Sequence, residues 1–141
     1  MKKSDVVKGI LESGVFYLTT VDDGKPKVRP YGFLMEYNGK ICFTTNKNKP
    51  TYSQLISNPY VEICAMQSNM SWIRLSGKAV NITSDDSRKS ALEAMPALAQ
   101  NYAVYGGDFD VFGLDEAVAD YYSFGGESGI RKTSYSLDKE E

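Results

Sequence analysis

Val28-Arg29-Pro30-Tyr31-Gly32-Phe33-Leu34-Met35-Glu36-Tyr37 runs into Asn38-Gly39 and then into Lys40-Ile41-Cys42-Phe43-Thr44-Thr45. Asn-Gly is a strong two-residue hairpin signal, because both central positions of that turn need a positive φ. The stretch therefore predicts a strand over 28–37, a tight turn, and a strand over 40–45. Pro30 has no N–H to give to a ladder, which places its strand at an edge or a bulge. Gly32, two residues on, lets something approach the backbone closely.

Upstream, residues 15–21 (Val-Phe-Tyr-Leu-Thr-Thr-Val) are β-branched and aromatic, and Asp22-Asp23-Gly24 turns them. A short helix capped by Ser4 opens the chain, with Val6, Val7, Ile10 and Leu11 on one face and Gly14 as its stop. Downstream, Pro50 starts a second short helix at its favoured first position, and Asn58-Pro59 ends it. Residues 60–66 and 72–82 read as a long hairpin. Residues 84–98 form the longest helix, with Ala91, Leu92, Met95 and Leu98 as its buried stripe. Residues 109–114 and 117–124 are two further strands. The expected architecture is mainly β (β+α), a six- to seven-stranded antiparallel barrel or sandwich with three short helices. Residues 1–125 form one domain, and the glycine-rich piece after Phe124 opens a loose C-terminal tail over 126–141.

Composition narrows the chemistry. The chain has 141 residues, and 16 Lys and Arg against 18 Asp and Glu give a formal charge of −2. No strong field argues for nucleic acid or for an anionic membrane surface, and no apolar run approaches the ~18 residues of a membrane span. There is no histidine, which excludes a Ser-His-Asp or Cys-His nucleophile and any His-bearing metal site within one chain. Two cysteines, Cys42 and Cys64, cannot form a four-thiolate metal site, so no metal is expected. Both lie in apolar, strand-like runs and read as buried reduced thiols of a cytoplasmic protein. An enzyme with this composition would rely on a borrowed cofactor.

Three constellations carry chemistry. Thr44-Thr45-Asn46-Lys47-Asn48-Lys49-Pro50 joins a strand end to a helix start, where free backbone N–H groups, hydroxyls and ammonium groups suit a phosphate. An ordinary polar loop that happens to hold two lysines fits the same residues. Arg29-Pro30-Tyr31-Gly32-Phe33 combines a planar guanidinium fork with a missing donor and a missing side chain, which together open a slot for a flat ligand. An edge strand protected by Pro and Arg fits equally. Trp72, Arg74, Ser76 and Lys78 share one face of an alternating strand, as a stacking platform or as part of the core. The acidic residues near the C-terminal strands read as solvated turns.

In this order the pieces resemble the pyridoxamine 5′-phosphate oxidase-like family of FMN-binding split barrels, near its small nitroimidazole-resistance-type branch. The resemblance covers roughly residues 5–125. It rests on Phe16-Tyr17-Leu18-Thr19-Thr20, Val28 to Phe33, Phe43-Thr44-Thr45-Asn46 with Lys49, Gln54-Leu55, Asn58 to Ile63, Trp72 to Ala79, and Tyr121-Tyr122-Ser123-Phe124 with Gly126. It implies a split barrel that dimerises with FMN in grooves between the subunits. Arg29, Pro30, Tyr31, Gly32 and Phe33 match the strand beside the flavin, and Thr44 and Thr45 match residues near its ring and ribityl chain. Lys49 matches the phosphate-binding lysine, with Asn46 beside it. Trp72 falls where a flavin-contacting polar residue often stands. The chain lacks the Arg- and His-bearing C-terminal segment of the vitamin B6 oxidase, so pyridoxamine phosphate is not the expected substrate. The expected function is an FMN-dependent oxidoreductase acting on a small molecule by hydride transfer through flavin N5. The alternative is a non-catalytic flavin-binding sensor or stress-related carrier. A deazaflavin would want the same anion site, and haem would need an unusual Tyr, Cys or Met ligand.

Overall fold

The computed structural model describes residues 1–125, Glu127 and 129–138. Gly126, one of the positions on which the resemblance rests, lies outside the described residues. In chain order the elements are α1 (Lys3–Glu12), β1 (Phe16–Asp22), β2 (Lys25–Tyr31), β3 (Met35–Tyr37), β4 (Lys40–Thr45), α2 (Pro50–Ser57), β5 (Tyr60–Met66), β6 (Trp72–Asn81), α3 (Asp85–Ala94), α4 (Leu98–Asn101), β7 (Asp110–Phe124) and β8 (Ile130–Ser136), with a 3-10 turn at Ala103–Tyr105. The eight strands form one antiparallel sheet in the order β2-β1-β5-β6-β7-β4-β3, and β8 pairs with β7. No ladder joins β2 to β3, so the sheet is not closed. The fold is a β+α split barrel.

The two sequence-predicted turns form as expected. Asp23-Gly24 and Asn38-Gly39 both take positive φ at both positions, so the local twist matches that of the flanking strands. Pro50 begins α2, with Lys49 in extended conformation before it. Pro30 lies on β2, an end strand of the sheet, where its missing N–H breaks no interior ladder.

Five expectations are corrected. Residues 28–37 do not form one strand. The chain leaves β2 at Gly32 and starts β3 at Met35, and here it straddles two cores: Tyr31 and Leu34 pack into the main one, Phe33 and Met35 into a second. Ser4 lies inside α1 and caps nothing; α1 starts after Lys2, whose N–H donates to the Asp5 carboxylate at 3.0 Å. The helix expected over 84–98 ends at Ala94, one residue before Met95-Pro96, and resumes as the one-turn α4. Its N-terminus does carry the reciprocal Ser84–Ser87 cap, with bonds of 2.8 and 3.0 Å. The two strands expected over 109–114 and 117–124 are one 15-residue strand, β7, which starts at Asp110, with Glu116 at φ +53° and a register shift against β6 between Ser76 and Lys78. Finally, residues 130–136 are not a loose tail but β8, paired with β7 from Ile130↔Phe124 to Ser136↔Val118.

Alternation along the strands builds the main core from Phe16, Leu18, Phe43, Ile63, Leu75, Phe112 and Leu114, with Val6 and Ile10 of α1 and Leu55 of α2 closing the ends. The Phe43 and Phe112 rings stack across the β4–β7 ladder at 6.1 Å. The second core, including Phe33, Met35, Cys42, Leu98, Tyr102 and Phe109, clamps α3 and α4 against β3, β4 and β7. Arg88 of α3 ties this clamp down, donating to the Phe109 carbonyl at 2.9 Å and sitting 3.8 Å from the buried Asp110. Cys42 is buried as expected, whereas Cys64 is exposed on the outer sheet face; both are free thiols. No helix among the described residues is long and apolar enough to cross a membrane.

Candidate functional site

The break between β2 and β3 opens a cavity of about 270 Å³. Pro30, Tyr31, Gly32 and Phe33 form one wall, Thr44 and Lys49 a second, and Met95, Leu98, Asn101 and Tyr102 the third. A Cβ added at Gly32 would meet nothing within 4 Å, so the slot beside that backbone is open. Five of the ten sequence-predicted site residues — Pro30, Gly32, Phe33, Thr44 and Lys49 — meet here, and Tyr31 makes a sixth.

The loop after β4 is held tightly. Asn46 Oδ1 accepts from the Asn48 N–H at 2.8 Å, and Asn46 Nδ2 donates to the Asp108 carbonyl at 2.7 Å. The Lys49 N–H donates to the Asn46 carbonyl at 2.9 Å, which completes the turn into α2. Asn46 is buried and its amide is occupied by the loop itself, so its role is to shape the loop. Lys49 makes no ion pair with a described residue; its ammonium lies 5.6 Å and 5.5 Å from the Tyr102 and Tyr105 ring centroids.

Arg29 stands outside the lining, against α2. Its Nη1 donates to the Leu18 carbonyl at 3.2 Å and its Nη2 to Gln54 Oε1 at 2.8 Å, an oxygen that also accepts from Thr20 Oγ1 at 2.5 Å. No carboxylate among the described residues pairs with it, and burial lowers its pKa from the ordinary arginine value despite the opposing influence of Tyr31. The Tyr31 ring packs between Phe16 and Phe43, at 6.2 and 5.9 Å. Its hydroxyl and Thr45 Oγ1 are buried and make no well-formed hydrogen bond with a described residue, although the Thr45 and Thr51 hydroxyls lie near enough to the Tyr31 hydroxyl to oppose the rise of its pKa. A folded chain rarely leaves buried polar atoms unpaired, and two in one corner call for an explanation. Two cations without a described carboxylate partner, two buried hydroxyls without well-formed hydrogen bonds and the first turn of α2 fit a group rich in acceptor oxygens.

Burial pushes the Tyr31 pKa up to about 12, with Tyr102 adding to the shift and Thr45, Arg29 and Thr51 opposing it. Burial also raises Tyr102. A phenol whose folded pKa exceeds its unfolded value stabilises the fold fully below the unfolded pKa and loses that contribution as pH rises through the folded one. Stability should therefore fall as pH rises from 10 toward 12. Tyr31→Phe, which removes no more than poorly formed contacts with the Thr45 and Thr51 hydroxyls, should change the melting temperature at pH 8 little and make the alkaline decline shallower. Melting curves of both proteins across pH 8–11 check this; an equally steep decline in the variant would assign it to other groups.

Trp72 does not join the cavity. It stacks on Tyr122 on the outer sheet face, with centroids 5.0 Å apart and planes 3° from parallel, and Phe124 packs beside it at 5.7 Å. Arg74 lies over the same Tyr122 ring and binds Glu62 through two bonds of 2.9 and 2.8 Å. Asn101 and Tyr102 are the site residues that sequence reasoning missed, while Met95 and Leu98 were read only as core. The signal that could have found them is the aromatic pair Tyr102 and Tyr105, set just before Gly106-Gly107 in a segment without helical periodicity.

The pyridoxamine 5′-phosphate oxidase family model matches residues 3–119. A NimC/NimA family protein from Clostridium acetobutylicum is 36% identical, with a TM-score of 0.82 over 94% of this chain and 91% of that one. A pyridoxamine 5′-phosphate oxidase-related, FMN-binding protein from Nostoc punctiforme is 17% identical, with a TM-score of 0.62 over 95% of both chains. A haem-binding protein from Mycobacterium smegmatis is 21% identical, with a TM-score of 0.68 over 94% of this chain and 57% of that one. Among curated proteins none matches the chain. The match over residues 3–119, with the NimC/NimA likeness at 36% identity, places the chain in the pyridoxamine 5′-phosphate oxidase family.

Proposed function

We propose that the chain is an FMN-dependent oxidoreductase acting on a small molecule. The observation that carries this reading is the corner at the start of α2, where Arg29 and Lys49 lack carboxylate partners among the described residues and the buried Tyr31 and Thr45 hydroxyls lack a well-formed hydrogen bond, beside an open slot. Lys49, the first turn of α2 and Arg29 would take the phosphate, Thr44 and Thr45 would lie by the ribityl chain, and residues 30–33 would run along the ring. When bound, the flavin supplies reversible hydride transfer at its N5. The cavity lining offers no carboxylate, cysteine or histidine, so the chain's part is to orient the reactants, fix charge and exclude water.

The Nostoc relative is an FMN-binding protein by its description, which supports the same ligand here. The haem-binding relative supports haem less well, because this chain has no histidine to serve as axial ligand. A second copy of the chain fits the outer sheet face, where Val28, Tyr17, Cys64 and Met66 are exposed on neighbouring strands with Trp72 and Tyr122 beyond them. Exposed apolar residues continuous across a sheet mark an association surface.

The competing reading is a flavin-binding module that never turns over, favoured by a lining whose titratable side chains are Lys49, assigned here to the phosphate, and two tyrosines. Stopped-flow mixing of the FMN-loaded protein with NADH or NADPH, followed by electron acceptors, separates the two. Reduction and reoxidation within seconds are expected; bound flavin that stays oxidised for many minutes would establish the module instead.

A further inference from the structure

We propose that Tyr102 and Tyr105 form an aromatic cage that positions Lys49 for the cofactor phosphate, a role resting on the FMN reading above. Lys49 is the one charged side chain lining the cavity, and no described carboxylate holds it. The faces available to its ammonium are the two tyrosine rings, with centroids 5.6 and 5.5 Å away. A π-face attracts a cation without neutralising it, unlike a carboxylate, so the ammonium keeps its charge for an anion on its open side. Holding a long side chain in one place before binding also removes part of the ordering cost of binding.

The cage is itself fixed. The Tyr102 hydroxyl lies 3.0 Å from Thr44 Oγ1, its ring stacks on Phe109 at 5.3 Å, and the residue is 5% exposed. Tyr105 packs against the second core, and its carbonyl lies 3.5 Å from Asn46 Nδ2. Asn46 Nδ2 also reaches the Asp108 carbonyl. The loop that presents Lys49 and the segment that presents the rings are thus stitched together at Thr44 and Asn46. One residue, Tyr102, also lines the cavity, so the phosphate anchor and the cavity wall move as a unit.

The test compares Tyr105→Leu, which deletes the ring, with Tyr105→Phe, which keeps the ring and deletes the hydroxyl. The first readout needs no flavin. In the NMR spectrum of the flavin-free protein, the Lys49 ε-methylene signal, assigned by its loss in Lys49→Ala, should be displaced upfield by the rings. The displacement should persist in Tyr105→Phe and shrink in Tyr105→Leu. An ordinary lysine position in the wild-type protein would overturn the cage. The second readout is the FMN dissociation constant, which should weaken by about threefold to thirtyfold in Tyr105→Leu and stay within about twofold of wild type in Tyr105→Phe. Equal weakening in both variants, unchanged binding in both, or tighter binding in Tyr105→Leu would overturn the positioning role. Failure of the wild-type protein itself to bind FMN would remove the functional reading and the positioning role together. Tight wild-type binding matched by Tyr105→Leu would remove the positioning role alone.

Discussion

Lys49→Ala should weaken FMN binding by about tenfold to a hundredfold, or roughly 1.5–3 kcal/mol, the loss of one hydrogen bond to a charged group. The magnitude is large because Lys49 is the charged side chain of the cavity lining and has no carboxylate partner to release when an anion arrives. Lys47, two residues earlier and exposed, is the control. Its alanine variant should change the affinity by less than about threefold, because an exposed charge acts through solvent. Fluorescence titration of FMN against the three proteins checks both. Equal losses at the two positions would mean that the anchor is a diffuse positive loop, and no loss at Lys49 would put the phosphate elsewhere. Because Lys49 supports the fold only through its contacts with two rings, its removal should lower the melting temperature little.

The largest effect on stability should come from Phe43→Ala, at about 3–5 kcal/mol, the range for deleting a fully buried aromatic ring. Phe43 is 0% exposed, stacks on Phe112, and meets the Tyr31 ring edge-on. Its neighbour in the chain, Thr44, lines the cavity. The lost ring would therefore loosen the β4–β7 pairing and the β2 wall of the cavity together. For a domain whose total stability is about 5–15 kcal/mol, such a loss is a large fraction of the whole. Urea unfolding would measure it, with the 83%-exposed Val104 as a control whose alanine variant should stay within about 0.5 kcal/mol. A cost below about 1 kcal/mol for Phe43→Ala would mean that this stack does not hold the two sides of the barrel together.

The parts of the fold legible in the sequence are those that a local rule dictates. Asn38-Gly39 and Asp23-Gly24 occupy positive-φ positions that few other residue pairs tolerate, and Pro50 has little choice but a helix start. The unexpected parts depend on contacts between distant segments. Asp115-Glu116 reads as a turn because it is polar, yet β6 continues opposite it, so the chain bulges at Glu116 and carries on. Residues 130–136 read as tail because they are mostly polar and follow a glycine-rich piece; they pair with β7 along an edge with most side chains exposed, and Leu137 just beyond them is fully buried. The run from Val28 to Tyr37 is apolar enough for one strand, and its sequence does not show that it serves two cores, Tyr31 and Leu34 in one and Phe33 and Met35 in the other, across a break at Gly32.

The site shows the same division. The strand residues 30–33 and the loop to Lys49 carry their chemistry in their composition, and six of the residues they were expected to supply do line one cavity. Arg29 and Thr45 lie behind it, and Asn46 holds the loop. Trp72 is expected at the flavin from the family resemblance, and the alternation of β6, which leaves it as stacking platform or core, does not say where its face lies relative to the cavity. The opposite wall, from Met95 to Tyr102, arises where Pro96 interrupts a helix; helical spacing marks Met95 and Leu98 as buried but gives no sign that they face a cavity, and no periodicity marks Asn101 and Tyr102.

Sedimentation velocity of the purified protein, followed at the flavin absorption band and at 280 nm, tests the central claim most directly. The expected result is a yellow species with the mass of two chains that carries FMN, identified by mass spectrometry after release. A colourless single chain that gains no co-sedimenting colour when FMN is added would contradict both the cofactor and the paired assembly.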